Sequence, residues 1–384
     1  MKVHYWSPFI CHVATVTSVI NSIKSINKYS KKKIDFVIID VFKEWSFYKD
    51  KISCNNIKIL NLNTFLNIKT LPKGGFFKSR ITYLLTFLFS VFKLNKYLKE
   101  HKPDFLIIHL LTFIPLFLMI IFNYKTRFIL RISGFPKLNF FRKILWRTSN
   151  KKIYKVFCPT KLTKDLLLSQ NIFDINKIFV VKDPILNISE LKNTKIQDIT
   201  NSHPIDKEYV ISIGRLTKQK NFLFLVRAFK ILSLKLPHIN LVILGEGEDR
   251  KKIQKEINDN GLFDRIHLIG EKRNVYPYLE KSSFFVLTSE WEDPGFVIIE
   301  AMFSRKIVLS SDCASGPQEI IIDGLNGFLY KRNSFEDFEK KFLYIYEKLQ
   351  SNKNLINKIS HNALKLAKMY TLYSHYKMVN KHLV

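Results

Sequence analysis

Short apolar runs recur along the chain and alternate with stretches of helical period. KVHYW, IDFVIID, DFLIIHL, RFILRI and KVFCP in the first half, and EYVISIG, INLVILG, IHLIG, SFFVLTS and KIVLSS in the second, read as buried strands. Between them lie helix-period segments such as NFLFLVRAFKILSLKL and DRKKIQKEINDNG. Apolar strands separated by helices predict parallel sheets covered on both faces. The series breaks at residues 185–207, ILNISELKNTKIQDITNSHPIDK, a polar stretch without apolar period that reads as a linker. The expected fold is α/β, with Rossmann-like domains at residues 1–190 and 205–360. A helical segment at 361–384 follows and is placed to pack back on the first domain.

Two apolar stretches raise the question of a membrane. Ile81–Phe92 is ITYLLTFLFSVF, preceded by Lys78 and Arg80 and followed by Lys93, Lys96 and Lys99. It reads either as a helix lying in the interface of an anionic bilayer or as a buried helix with solvated ends. Phe105–Phe122 has 18 residues without a formal charge, against about 20 for a spanning helix. His109 and Pro115 divide it. PDFLIIHL reads as a parallel strand, and IPLFLMIIF as a helix with Pro115 in its first turn.

At 384 residues the chain suits two domains of roughly 190 residues each. With 47% hydrophobic and 14% aromatic residues it is neither disordered nor fibrous. The 62 Lys and Arg against 32 Asp and Glu give a net charge of +30. The excess is uneven, since residues 51–150 hold 17 basic and 2 acidic side chains. Such a field points to nucleic acid, anionic lipid or a phosphorylated small molecule, or simply to solubility charge. Cys11, Cys54, Cys158 and Cys313 are far apart and read as free thiols in a reducing compartment. The N-terminal MKVHYWSPFI lacks the apolar core of a signal peptide.

Four segments of the second half carry the candidate chemistry. In ISIGRLTKQKN a strand ends at Gly214, and Arg215 and Lys220 follow on the loop, where cations suit a diphosphate. LVILGEGEDRKKI has a strand, GxG and a helix, but Arg250 stands where a dinucleotide fingerprint needs its third glycine. In SEWEDPGFVIIEAM, Glu292 and Glu300 are separated by seven residues. Asp293 is expected to cap a helix whose first residue is Pro294, with the N–H groups of Gly295, Phe296 and Val297 facing an anion. The fourth, SSDCASGPQEIIIDGLNGFLY, is a strand, a Gly/Pro loop, a short helix, a turn and a strand.

In this order and spacing, GRLTKQKN, LGEGEDR, EDPGFVIIE and SGPQEIIIDGLNGFL resemble the retaining nucleotide-sugar glycosyltransferases of family 4. The resemblance covers about residues 205–335, and CHVATVTSVINSI and KPDFLIIHL extend it more loosely into the first half. It implies the GT-B fold of two facing Rossmann-like domains. It implies that Arg215 and Lys220 bind the donor diphosphate beside Gly214 and that Glu300 holds the ribose. Glu292, with the backbone of Gly295, Phe296 and Val297, takes the donor-sugar side, and His12 stands on the acceptor side. The chain departs from the pattern in three places. SPFIC replaces a Gly-rich loop, Asp293-Pro294 intervene after the first Glu, and ISGFP stands where many members carry a histidine.

The activity implied is transfer of a hexosyl or N-acetylhexosaminyl group from a nucleotide sugar, with no cofactor and no metal. The acceptor expected is a saccharide or lipid-linked saccharide in polysaccharide biosynthesis. The expected location is the cytoplasm, peripheral to an anionic membrane surface, with no nucleic acid as partner. The rivals are a GT-B nucleotide-sugar epimerase and a basic nucleic-acid-binding protein. The latter lacks the interleaved aromatic and basic residues such binding uses.

Overall fold

The computed structural model describes residues 1–10, 14–49, 52, 57–63, 67–68, 71, 76–194 and 207–383. It divides into two units: Met1–Pro184 with Leu372–Val384, and Ile185–Thr371.

The first unit is built on a parallel seven-stranded sheet ordered β3-β2-β1-β4-β5-β6-β7. Its strands are β1 (Lys2–Trp6), β2 (Asp35–Asp40), β3 (Lys58–Asn61), β4 (Phe105–Ile108), β5 (Arg127–Arg131), β6 (Ile153–Cys158) and β7 (Ile178–Val180). Its helices are α1 (Ala14–Tyr29), α2 (Phe76–His101), α3 (Phe113–Ile121), α4 (Phe140–Asn150) and α5 (Lys161–Ser169). Successive strand residues go to opposite faces. Trp6, Ile39, Leu106, Ile108 and Leu130 join one core layer. Tyr5, Ile38, Phe105, Ile107 and Ile129 join the other. Burial on both faces is why these strands read as unbroken apolar runs.

The second unit has a parallel six-stranded sheet ordered β10-β9-β8-β11-β12-β13. Its strands are β8 (Tyr209–Ile213), β9 (Asn240–Leu244), β10 (Ile266–Gly270), β11 (Phe285–Leu287), β12 (Val308–Ser311) and β13 (Phe328–Tyr330). Its helices are α6 (Ile188–Thr194), α7 (Phe222–Lys235), α8 (Arg250–Asp259), α9 (Tyr276–Lys281), α10 (Phe296–Phe303), α11 (Gly316–Ile320), α12 (Phe335–Ser351) and α13 (Lys353–Ala367). The last helix of the chain, α14 (Leu372–Asn380), belongs to the first unit.

Phe105–Phe122 divides as expected into β4 and α3, and Ile81–Phe92 lies within α2. Among the described residues no helix is long and apolar enough to cross a membrane. Two edge strands, β3 and β7, were absent from the sequence reading. They have four and three residues, too few to show a period.

The chain divides differently from the reading 1–190, 205–360 and 361–384. The boundary is at Pro184, and Ile185, Leu186 and Leu191 of the expected linker pack into the second core. Residues 195–206 lie outside the described residues. The expected terminal segment is two helices, because Ala363, Ala367 and Tyr370 bury in the second unit. α14 alone packs on α1, where Ser25 Oγ donates to the Leu372 carbonyl at 2.6 Å and Tyr29 meets Tyr373 edge-on. Cys158 and Cys313 are buried free thiols, while Cys11 and Cys54 fall outside the described residues.

Candidate functional site

In the second sheet the strand order reverses between β8 and β11, neighbours whose following connections, to β9 and to β12, run to opposite sides. Loops after the carboxyl ends of two such strands diverge and leave a crevice, the usual ligand position in open α/β sheets. The segments singled out in the sequence meet there. One loop runs from Gly214 to Asn221, the other from Thr288 to Gly295.

The two loops are tied together. Gln219 accepts from the Glu290 N–H at 2.8 Å through its carbonyl, and its side chain donates to the Trp291 carbonyl at 2.8 Å. Thr288 Oγ1 donates to the Lys220 carbonyl at 3.0 Å. Across this seam Lys220 Nζ lies 2.5 Å from Glu292 Oε1, which also accepts from Ser289 Oγ at 2.6 Å. Both side chains are nearly closed off from water, at 12% and 7% exposure. The Lys220 stem lies over Gly214, where a Cβ would come within 2.8 Å of Lys220 Cε. Gly214 is therefore the residue that lets the lysine cross the strand end. Arg215, one residue on, is exposed, and its guanidinium has no ionic partner among the described residues.

Glu292 is fixed by its backbone. Its N–H donates to the Ala314 carbonyl, and its carbonyl accepts from the N–H groups of Ser315 and Gly316 at 2.8 and 2.9 Å. Gly316 is needed there, since a Cβ would fall 1.9 Å from the Pro294 carbonyl oxygen. The fourth segment thus backs the third. The GxG of the second segment has a similar task. A Cβ on Gly245 would meet the Gly214 carbonyl oxygen at 1.9 Å, and one on Gly247 the Leu216 carbonyl oxygen at 2.3 Å. These glycines admit a close loop–loop approach.

The helix after Glu292 does not begin at Pro294, nor does Asp293 cap it. α10 starts at Phe296, with Gly295 as the N-cap at φ 90°. That left-handed residue turns the chain out of the Glu292 bridge and into the helix, a conformation open to glycine at little cost. The N–H groups of Phe296 and Val297 find no acceptor among the described residues and stand at the positive end of α10. Glu300 follows in the second turn, half-buried beside Ile299 and Ala301. Burial pushes its carboxyl up to about 7, and Lys220 partly offsets the rise. The buried Tyr276 feels Glu300, and burial first and this charge second raise its phenol well above the usual range. The sequence reading missed Thr288, Ser289 and Tyr276. The Thr-Ser pair closing SFFVLTS was the available signal.

His12 lies outside the described residues. No group of three or more His, Cys, Asp or Glu placed to hold a metal ion occurs among the described residues.

Residues 194–362 match the model of the family described as Glycosyl transferases group 1. They form a group 1 glycosyltransferase domain. An uncharacterised glycosyltransferase of Methanocaldococcus jannaschii is 32% identical over 273 residues, 65% of this chain and 65% of the relative. The N-acetylgalactosamine-N,N'-diacetylbacillosaminyl-diphospho-undecaprenol 4-alpha-N-acetylgalactosaminyltransferase of Campylobacter jejuni is 28% identical over 215 residues, 54% of this chain and 57% of the relative. The chain thus spans less than two thirds of the length of these relatives. Among solved structures, Anabaena HepE in complex with UDP and glucose has a TM-score of 0.74 at 16% identity. That match covers 100% of this chain and 99% of the other. At that identity the likeness is one of fold, and the fold is GT-B. The matched residues include Lys220, Glu292 and Glu300 at the strand-order reversal.

Proposed function

We propose that the protein is a retaining glycosyltransferase of family 4. It moves a hexosyl or N-acetylhexosaminyl group from a nucleotide diphosphate sugar to a saccharide or lipid-linked saccharide during cell-surface polysaccharide assembly. The observation that carries this reading is the meeting of Lys220, Glu292 and Glu300 at the strand-order reversal of a group 1 domain. Arg215 and Lys220 receive the charge that develops on the diphosphate as the bond from the anomeric carbon to phosphate breaks. Glu300 accepts from the ribose hydroxyls. Glu292, held rigid by Ser289 and the Ala314–Gly316 loop, takes hydroxyls of the transferred sugar. The acceptor oxygen bonds to the anomeric carbon on the face the phosphate leaves, and its proton passes to the departing phosphate oxygen. No cofactor and no metal enter this scheme.

The alpha-transferase name of the Campylobacter relative supports retention, and its diphospho-undecaprenol acceptor supports a lipid-linked one. The basic excess of residues 51–150 supports a position at the inner face of an anionic membrane. A panel of nucleotide sugars in a thermal-shift assay, followed by product analysis with saccharide acceptors, tests the reading. It expects one donor class to raise the melting temperature and an acceptor-linked sugar to appear. An epimerised nucleotide sugar, or no response to any donor, contradicts it.

A further inference from the structure

From Arg80 to Phe92, helix α2 is inside out. Thr82, Thr86 and Ser90, spaced four apart, are its buried stripe there. Two of these hydroxyls are satisfied within the helix, Thr86 Oγ1 donating to the Thr82 carbonyl at 2.7 Å and Ser90 Oγ to the Thr86 carbonyl at 2.5 Å. Ile81, Leu84, Leu88 and Phe92 point outward, Leu88 at 55% and Phe92 at 79% exposure. A water-facing helix has the opposite arrangement, with its apolar stripe on the core. Further along, the exposed residues become basic, at Lys96 and Lys99.

This face runs into a cavity of about 560 Å³ at the carboxyl ends of β4 and β5, to which α2 contributes Arg80, Tyr83 and Phe87. Arg142 of α4 also lines it, its guanidinium donating one hydrogen bond to the Lys137 carbonyl at 2.8 Å, and no carboxylate of the described residues lines it. Its rim carries the exposed rings of Phe113, Phe135 and Phe141. The His109 ring, 5% exposed, also lines the cavity, and its Nδ1 has no hydrogen-bond partner among the described residues. Below it Arg131 is neutralised by Asp183 at 2.7 Å. The two acidic residues of the 51–150 window, Glu100 and Asp104, lie at the other end, where α2 stops and β4 starts.

We infer that the outer face of α2 and this cavity form one site for a phosphate-bearing lipid. The hydrocarbon covers Leu88, Phe92 and the aromatic rim, and the phosphate lies against Arg80 and Arg142. A purely apolar partner does not answer the positive charge of the lining, and a free anion leaves the inverted face in water. A second copy of the chain brings two sets of like charges together. The inference deepens the proposed function, since it rests on the first unit being the acceptor side and names the acceptor class.

The test uses the full chain. Calorimetry compares n-decyl phosphate, n-decyl maltoside and inorganic phosphate. Flotation compares phosphatidylcholine vesicles with and without phosphatidylglycerol. The variants are Arg142→Ala and Phe92→Ser, both at exposed positions, with an unchanged melting temperature as the control for folding. Decyl phosphate is expected to bind about tenfold or more tighter than either other probe, and Arg142→Ala to erase that margin. Phe92→Ser is expected to lower the affinity for anionic vesicles by about tenfold or more. Equal binding of decyl phosphate and decyl maltoside overturns the phosphate part. Inorganic phosphate binding as tightly as decyl phosphate overturns the lipid part. A dimer lost in Phe92→Ser, without vesicle binding in the parent, assigns the face to a second copy and overturns both. Donor binding is measured separately on the second unit's ligand, so failure of the glycosyltransferase reading shows there and not in these titrations.

Discussion

Lys220 and Glu292, 72 residues apart in the chain, form a nearly buried ion pair 2.5 Å long at the reversal of strand order. Each neutralises the other where a diphosphate and a sugar are proposed to bind. Removing one partner strands a charge in a closed site, which costs about 3–5 kcal/mol. Lys220→Met and Glu292→Leu are each expected to lower stability on that scale. The double variant is expected to recover much of the loss, since a well-packed apolar pair often replaces a buried ion pair without penalty. Denaturant titration of the four proteins measures the coupling, and strictly additive losses contradict it.

Arg215 stands in solvent beside that pair, so its role is separable from stability. Arg215→Ala is expected to leave the melting transition unchanged, within about 0.5 kcal/mol. Turnover is expected to fall more than donor affinity, because the leaving diphosphate gains charge only as the bond breaks. Steady-state kinetics with a donor titration separates the two. A loss confined to donor affinity makes Arg215 a docking residue only.

Glu300 has its carboxyl raised to about 7, chiefly by burial. The folded chain therefore holds this proton more tightly than the unfolded chain. The associated stability is complete below about 4.5 and is lost as pH rises toward 7. Glu300→Gln, neutral throughout, is expected to gain stability over the parent as pH rises from 5 to 8 in parallel melts. Donor binding by the parent is expected to strengthen across the same interval as the carboxylate forms, and the variant to lack that rise. A parallel pH dependence in parent and variant rejects the role.

His375 gives the opposite sign. Its Nδ1 faces the Lys182 carbonyl at 2.7 Å and its Nε2 faces Ser22 Oγ at 2.9 Å, with Arg131 and Asp183 close by. Burial pushes its pKa down from 6.5 to about 4, so the fold keeps it neutral. The stability this gives is present above about 6.5 and is lost as pH falls toward 4. His4 and His109 are shifted down by burial as well, so His375→Gln is expected to flatten the acid slope rather than abolish it. Chemical denaturation between pH 7 and 4 measures the difference, and an unaltered slope contradicts it.

The two strand series were legible because parallel strands buried on both faces leave long apolar runs. The division of Phe105–Phe122 was legible because His109 and Pro115 fit a strand-to-helix junction. The candidate site was legible as residues but not as geometry. Nothing local pairs Lys220 with Glu292, and only the seam between two loops brings them together. The start of α10 was misplaced because Pro294 favours a first helical position, while the bridge from Glu292 to Ser315 and the left-handed Gly295 delay the helix. The inversion of α2 was hidden, because an apolar period shows that a helix has faces without showing which one meets the sheet.

The stereochemistry of the product measures the proposed reaction most directly. Incubation with a nucleotide diphosphate sugar of the responsive class and a lipid-linked saccharide, followed by proton NMR of the anomeric centre, reads it. The expected result is nucleotide diphosphate released in step with an acceptor-linked sugar whose anomeric configuration matches the donor's, and loss of both signals in Lys220→Met. An inverted anomeric centre, or an epimerised nucleotide sugar with no transfer, contradicts it.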